Sequence, residues 1–226
     1  MLHDRHGPSV QSSLPVPRDS IRRNKHASVD GQPFIVTLAL DHETHETLTK
    51  LRTKYFPRHR NYLEAHVTLF HALPASHKSL YPTLLSEMAT QRHSFPVRIG
   101  KPFSLGGKGI GVGITSPNIV NQAKGSSERP HPNKDRITRL RADLARLLEH
   151  EDVKLTAQDA KNQHSPHVTL QNKVDEKTAS DSMEQLEQED GEIFRGGWDA
   201  RAIGLELYEY QADGTWTRMR QFEFAA

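Results

Sequence analysis

The sequence contains no cysteine, and this absence excludes several kinds of site. The chain cannot form disulfides, use a thiol nucleophile, or build a cysteine-containing zinc or iron–sulfur centre. No apolar run approaches the ~18 residues that a membrane-spanning helix needs, so we expect no membrane-spanning helix. Charge of one sign is not in excess either, since 30 Lys and Arg stand against 28 Asp and Glu. This balance is not typical of proteins that coat duplex nucleic acid, although a few local groups could hold a small anion.

Hydrophobic residues are also few, at 35% with a mean hydropathy of −0.71, which predicts polar tails or long loops around a core. The N-terminus lacks the apolar run of a signal peptide. Its arginines and serines are typical of a mitochondrial transit peptide, but Asp4, Asp19 and several prolines are not. We therefore predict a disordered extension over residues 1–32 and one domain over 33–226, with an exposed insertion at about 116–133. We expect a monomer in the cytosol and leave the nucleus open.

Short apolar, β-branched runs predict strands at 34–40, 65–73, 97–103, 110–115, 166–174, 202–210 and 216–224. Apolar residues at helical spacing predict helices between them, with Asp41, Ser76, Asp135 and Asp175 as N-caps. The order is strand–helix–strand–helix–two strands, the insertion, then helix–strand–helix–two strands. This interleaving indicates an α+β or α/β fold whose sheets are covered by helices.

An internal repeat is the strongest signal in the chain. The tetrapeptide His-Val-Thr-Leu occurs at residues 66–69 and again at 167–170, 101 residues later. Each copy lies on a predicted strand that is followed by a predicted helix. This repetition indicates a duplication with a pseudo-two-fold relation between the halves.

Strand alternation gives the repeat a chemical meaning. Side chains two apart on a strand share a face, so His66 shares one with Thr68, and His167 shares one with Thr169. If the two strands lie side by side, two imidazoles and two hydroxyls converge. Imidazole can serve as base or as acid near neutrality, and threonine hydroxyls can donate to the oxygens of a phosphate. The arrangement is suited to opening a phosphoester without a metal or a cofactor.

Other residues near the motifs are candidates for substrate binding. Phe70 continues the parity of His66 and could stack on a base, while Lys173 continues that of His167 and could reach a phosphate. Tyr62 and Arg60 precede the first motif and could guide an anionic end. Each has a simpler interpretation as a packed aromatic or a solvated surface residue.

Two alternatives to a catalytic pair remain. His-x-Thr on a single strand is more often an ordinary exposed or hydrogen-bonded pair. A metal-dependent hydrolase could use His164 with His167, or His66 with His71, although no His-Glu-x-x-His pattern occurs and 164 and 167 have odd strand parity.

The chain resembles the 2H phosphoesterase superfamily, the 2′-5′ RNA ligase-like proteins, whose signature is the paired His-Val-Thr-Leu motif. Residues 60–74 resemble its first-motif region, and residues 155–159 with 166–174 resemble its second. The resemblance extends from about Pro33 to the C-terminus and omits the extension and the insertion.

This resemblance implies a bilobal fold of two pseudo-symmetric lobes, each an antiparallel sheet covered by helices, around a central cleft. It implies metal-independent opening of 2′,3′-cyclic phosphates of nucleotides or RNA ends to 2′-phosphates, and in some members 2′-5′ joining of RNA in reverse. Carried over to this chain, His66 with Thr68 and His167 with Thr169 form the two half-sites. We assign His167 as base and His66 as acid. A protein that only binds nucleotide or RNA in the same cleft is the alternative.

Overall fold

The structure is a computed structural model that describes residues 31–116, 135–161 and 165–226. Most of the predicted N-terminal extension and of the predicted insertion lies outside these residues, as does His164. In the described ranges, no helix has both the length and the apolar character needed to cross a bilayer.

The described residues form seven strands and four α-helices. The strands are β1 Phe34–Leu40, β2 Val67–Leu73, β3 Phe95–Ser104, β4 Ile110–Thr115, β5 His167–Gln171, β6 Trp198–Tyr210 and β7 Trp216–Glu223. The helices are α1 His42–Tyr55, α2 Tyr81–Thr90, α3 Arg136–His150 and α4 Glu176–Glu189. Short 3-10 helices lie at Arg58–Arg60, Ala75–His77 and Gly191–Phe194.

Three of the four predicted helix caps are confirmed. Asp41, Asp135 and Asp175 each accept the backbone N–H of the threonine three residues later. The prediction for Ser76 is wrong, because Ser76 lies in a 3-10 helix and its hydroxyl bonds to His77. The next helix, α2, begins at Tyr81 without a side-chain cap and has a proline in its first turn, where a fixed φ suits the helix.

Two strand ends differ from the predictions by three residues or more. Strand β5 ends at Gln171, not at 174, since Lys173 has a φ of 62° in the left-handed region. Strand β6 begins at Trp198, not at 202, since residues 198–202 pair with β3. Their alternation of charged and small residues lacks the apolar run on which a strand prediction depends.

The strands form one closed ring of antiparallel pairs in the order β1-β2-β5-β4-β3-β6, and β6 pairs back to β1. Strand β7 extends the sheet from β6. The prediction of an α+β fold with antiparallel sheet and covering helices is confirmed in this form. The two halves expected as lobes share the ring through the pairs β2–β5, β3–β4, β3–β6 and β1–β6.

The order of the ring repeats between the two halves of the chain. The first half runs β1-α1-β2-α2-β3, and the second runs β4-α3-β5-α4-β6. Exchanging β1 with β4, β2 with β5, and β3 with β6 leaves every neighbour relation in the ring unchanged. The topology therefore has the two-fold relation that the repeated tetrapeptide predicts.

The hydrophobic core lies between the strands and the helices. Buried apolar residues of all four helices and of the strands form one cluster, which includes Leu38, Leu48, Val112, Leu140 and Leu205. Alternate residues of each ring strand must therefore point away from the helices. The repeated histidines and threonines lie on that second face.

Candidate active site

The two motif strands have the alternation predicted for them. Val67, Leu69, Val168 and Leu170 are all 0% exposed and belong to the core. The histidines and threonines between them are all partly exposed. The apolar pair of each motif thus holds its strand against the core and turns the polar pair to the opposite face.

The register between β2 and β5 sets the positions of these four side chains. Val67 lies opposite Val168 in an antiparallel pair. By that register His66 lies across from Thr169, and Thr68 lies across from His167. Cross-strand neighbours on one face are about 5 Å apart at Cβ. The four residues, which we call the His/Thr square, therefore have the imidazoles at one pair of opposite corners and the hydroxyls at the other.

Both imidazoles are held in the same orientation. Nδ1 of His66 lies 2.8 Å from the carbonyl oxygen of Glu64, and Nδ1 of His167 lies 2.8 Å from that of Ser165. A carbonyl only accepts, so each Nδ1 carries the hydrogen. In a neutral ring Nε2 then has a free lone pair, and in a charged ring it has a proton to give.

The surroundings of His66 favour its neutral form. Its ring contacts the indole of Trp216, with the ring centres 4.6 Å apart. Burial among these neighbours, together with the positive charge of Arg52, lowers the pKa of His66 to about 4, although the carbonyl of Glu64 acts in the opposite direction. In the absence of an anion this imidazole is uncharged at neutral pH.

The surroundings of His167 are more open. Phe103 meets its ring edge-on, with the centres 5.9 Å apart. On the other side, β4 places Gly111 opposite Thr169 and Gly113 opposite His167. A Cβ added at Gly113 would meet no atom within 4 Å. The backbone of β4 therefore leaves space beside His167 for a ligand.

A polar network next to the square was not predicted from the sequence. The hydroxyls of Thr37 and Tyr208 each donate to Oε2 of Glu206 at 3.1 Å, and Arg218 lies 3.3 Å from Oε1. Burial and the nearby Glu206 raise the pKa of Tyr208, so it stays a hydrogen-bond donor. These residues are far apart in sequence, and no motif marks them.

A cavity of about 220 Å³ opens beside His66. Glu206, Arg218 and Gln221 line it together with histidines of α1. The cavity thus places a carboxylate and a guanidinium next to the first half-site.

Phe70 does not lie where strand parity predicts. It is 0% exposed, and the guanidinium of Arg141 lies 4.9 Å from its ring centre. The cause is a bulge: Thr37 pairs with Thr68 but Val36 pairs with Phe70, so one extra residue of β2 shifts the alternation. Phe70 is therefore a core residue and cannot stack on a base in the cleft.

Two of the other predicted binding residues, Arg60 and Lys173, lie near the end of β5. Lys173 is beyond the strand, so the parity argument does not reach it, and its carbonyl accepts a 3.3 Å hydrogen bond from Arg60. Tyr62 is 59% exposed and donates to the carbonyl of His59. Arg60 and Lys173 thus lie together, and the binding roles of all three stay predictions.

Of the pair His66 and His71, which was considered for a metal, His71 forms a hydrogen bond with a carboxylate of the protein. His71 bonds through Nδ1 to the buried carboxylate of Asp159 at 3.1 Å, and Asp159 also accepts the N–H groups of His71 and Ala72. Among the described residues, no three or more His, Asp or Glu side chains form a group that could hold a metal ion. His164 lies outside those residues.

Comparison with solved structures identifies proteins of the same fold. Escherichia coli LigT, in a crystal structure with 3′-AMP, superposes with a TM-score of 0.51 at 14% identity, covering 86% of this chain and 99% of LigT. The protein TT0787 of Thermus thermophilus gives a TM-score of 0.50 at 17% identity, covering 85% of this chain and 97% of TT0787. No curated protein matches the sequence.

A family model decides the relationship that these low identities leave open. The model of the 2′-5′ RNA ligase superfamily matches residues 40–213, which include both His-Val-Thr-Leu motifs and every strand of the ring except most of β1. The chain therefore belongs to the 2′-5′ RNA ligase superfamily of 2H phosphoesterases.

Proposed function

We propose that this protein opens 2′,3′-cyclic phosphates of nucleotides or RNA ends to 2′-phosphates by two-histidine acid–base catalysis, without a metal. The superfamily supports a phosphoesterase or ligase type of activity. The observation that carries the proposal is the His/Thr square, with two imidazoles at opposite corners and two hydroxyls at the others. The two halves of the chain, which the pseudo-two-fold relation exchanges, act as the two lobes on either side of the cleft.

The chemistry follows from this geometry. One imidazole takes a proton through Nε2 from a water that attacks phosphorus, and a new P–O bond forms. The bond from phosphorus to the 3′ oxygen breaks, and the other imidazole gives its Nε2 proton to that oxygen. The hydroxyls of Thr68 and Thr169 donate to the non-bridging oxygens as their charge increases. If the 5′-hydroxyl group of a second RNA end attacks in place of water, the new bond joins phosphorus to that 5′ oxygen, the bond to the 3′ oxygen breaks as before, and the product is a 2′-5′ phosphodiester. This is the basis for proposing 2′-5′ ligation as a further activity.

The substrate class is supported by a relative and by the space at the site. The LigT structure contains 3′-AMP, a ribonucleotide phosphate. In this chain, the bare backbone of β4 leaves space beside His167, and a cavity opens beside His66, so each imidazole has room for a ligand next to it.

Purified protein incubated with 2′,3′-cyclic AMP and EDTA tests the proposal. We expect 2′-AMP as product, and a loss of kcat of about 10²-fold or more in His66→Ala and in His167→Ala. His77→Ala is the matched control, because His77 lies in a surface 3-10 helix and its ring bonds to the neighbouring Ser76. Full activity in either motif variant would refute the mechanism. Nucleotide binding without turnover would favour the alternative of a binding protein.

A second substrate assigns the two roles. A phosphodiester with a p-nitrophenolate leaving group needs no general acid, because that oxygen leaves as a stable anion. With His167 as base and His66 as acid, His66→Ala retains activity on this substrate and His167→Ala loses it. The opposite pattern would exchange the two roles.

A further inference from the structure

The His/Thr square lies across the weakest contact between the halves. Strands β2 and β5 align at one residue pair, Val67 with Val168, whereas β1 and β6 align at seven. In-line attack at phosphorus requires the two imidazoles to keep a fixed spacing. So short a ladder leaves that spacing to be held by other contacts.

A buried arginine of α1 provides one of these contacts. Arg52 is 4% exposed, and its Nε donates to Oδ1 of Asn61 and to the carbonyl of Leu63, both at 3.0 Å. A terminal nitrogen donates to the carbonyl of Thr169 at 2.5 Å. The side chain therefore ties the segment that precedes His66 to the motif strand of the other half.

A buried arginine of α3 makes the reciprocal contacts. Arg141 is 7% exposed, and its Nε donates to the carbonyl of Leu69 at 3.0 Å. Its terminal nitrogens donate to the carbonyls of Lys161 and Asp159. This side chain ties the segment that precedes His167 to the strand that carries Thr68.

The two arginines also share a packing partner of the same kind. The guanidinium of Arg52 lies 4.0 Å from the ring centre of Phe56, and that of Arg141 lies 4.9 Å from that of Phe70. In each case the planar guanidinium packs on an aromatic ring, and most of its N–H groups donate to backbone carbonyls. Lysine would keep the charge but could not reproduce these divergent hydrogen bonds.

We propose that Arg52 and Arg141 are positioning residues that form a reciprocal clamp across β2–β5 and set the spacing between the two half-sites. Each arginine bonds to the segment that precedes the motif histidine in its own half and to the motif strand of the other half. Neither needs to contact substrate. The catalytic consequence rests on the phosphoesterase activity proposed above, whereas the structural coupling does not.

Variants of the two arginines test the clamp by kinetics. We expect Arg52→Gln and Arg141→Gln to lower kcat for 2′,3′-cyclic AMP by about 10- to 100-fold, with KM within about threefold. Arg52→Lys and Arg141→Lys keep the charge and should not restore kcat. Controls are Lys50→Gln on α1 and Arg146→Gln on α3, which are 72% and 76% exposed and form local ion pairs.

An NMR measurement tests the coupling whether or not the protein turns over this substrate. The imidazole Cε1–H resonance of His167 should shift in Arg52→Lys, and that of His66 should shift in Arg141→Lys, while neither shifts in the controls. The lysine variants serve here because they preserve charge and favour a folded protein. Unmoved resonances in the opposite half, or a kcat that falls only in proportion to the folded fraction, would overturn the proposal. If wild-type protein is inactive, the NMR result alone decides.

Discussion

The pairing of Trp216 with His66 leads to a prediction about charge. The indole covers the imidazole at 4.6 Å between ring centres, and burial lowers the pKa of His66 to about 4. Trp216→Ala admits water to one face of the ring. Because water stabilises the imidazolium form, we expect the pKa of His66 to rise toward the ordinary value of about 6.5.

The effect on stability has a definite sign. A pKa near 4 in the folded protein and about 6.5 in the unfolded chain means that the unfolded state takes up this proton first. The free energy of unfolding therefore falls as pH decreases from about 6.5 to 4. The shift of about 2.5 units corresponds to at most about 3 kcal/mol, and less in so far as the partly exposed ring is screened by solvent. Trp216→Ala should reduce this dependence on pH.

The assay is an NMR titration of the His66 Cε1–H resonance, with urea unfolding at pH 5 and pH 8. Trp198→Ala is the matched control, because this tryptophan packs on Phe194, away from the His/Thr square. A His66 pKa that stays near 4 in Trp216→Ala would refute the desolvation argument. So would a wild-type value near 6.5.

Three further results are expected. Asp159→Asn should lower the free energy of unfolding by about 1–3 kcal/mol in urea titrations, because the buried carboxylate accepts from His71 and Ala72; unchanged stability would contradict this. Gly113→Ala should leave Tm unchanged, since its Cβ meets nothing within 4 Å, yet raise KM by placing a methyl beside His167; an unchanged KM would mean that this space is not used. EDTA should leave kcat for 2′,3′-cyclic AMP unchanged, and a loss restored by one added divalent metal would refute metal independence.

The sequence predicted the features that local pattern determines. Alternation along the strands placed His66 with Thr68 and His167 with Thr169 on one face, since one side of each strand must pack on helices. Aspartate before an amphipathic run predicted three caps correctly. These features depend on residues within a few positions of each other, which a single sequence shows directly.

What the sequence did not predict depends on contacts between distant segments. The bulge that buries Phe70 arises from the pairing of β2 with β1, and alternation within β2 alone does not reveal it. Arg52 and Arg141 read as ordinary charges on amphipathic helices, because their carbonyl partners lie on other elements. Trp216 is 150 residues from His66, and their contact follows from the position of β7 beside the ring.

The pseudo-two-fold relation between the two halves explains where the His/Thr square lies. It also explains why the residues beside the square must differ between the two halves. Only the pairs β2–β5 and β3–β6 map onto themselves when the halves are exchanged, so the pseudo-two-fold axis passes through them. Any group beside that axis occurs twice, which supplies two imidazoles and two hydroxyls from one motif.

A cyclic phosphate has no two-fold symmetry, however, and its two sides need a base and an acid. The motif is the same on both sides, so the neighbours must make the difference. The exchange-related positions opposite the two threonines are Thr37 in β1 and Gly111 in β4, one bonded to Glu206 and the other without a side chain. We therefore expect the direction in which the proposed cyclic phosphate binds to be determined by residues outside the repeated tetrapeptide.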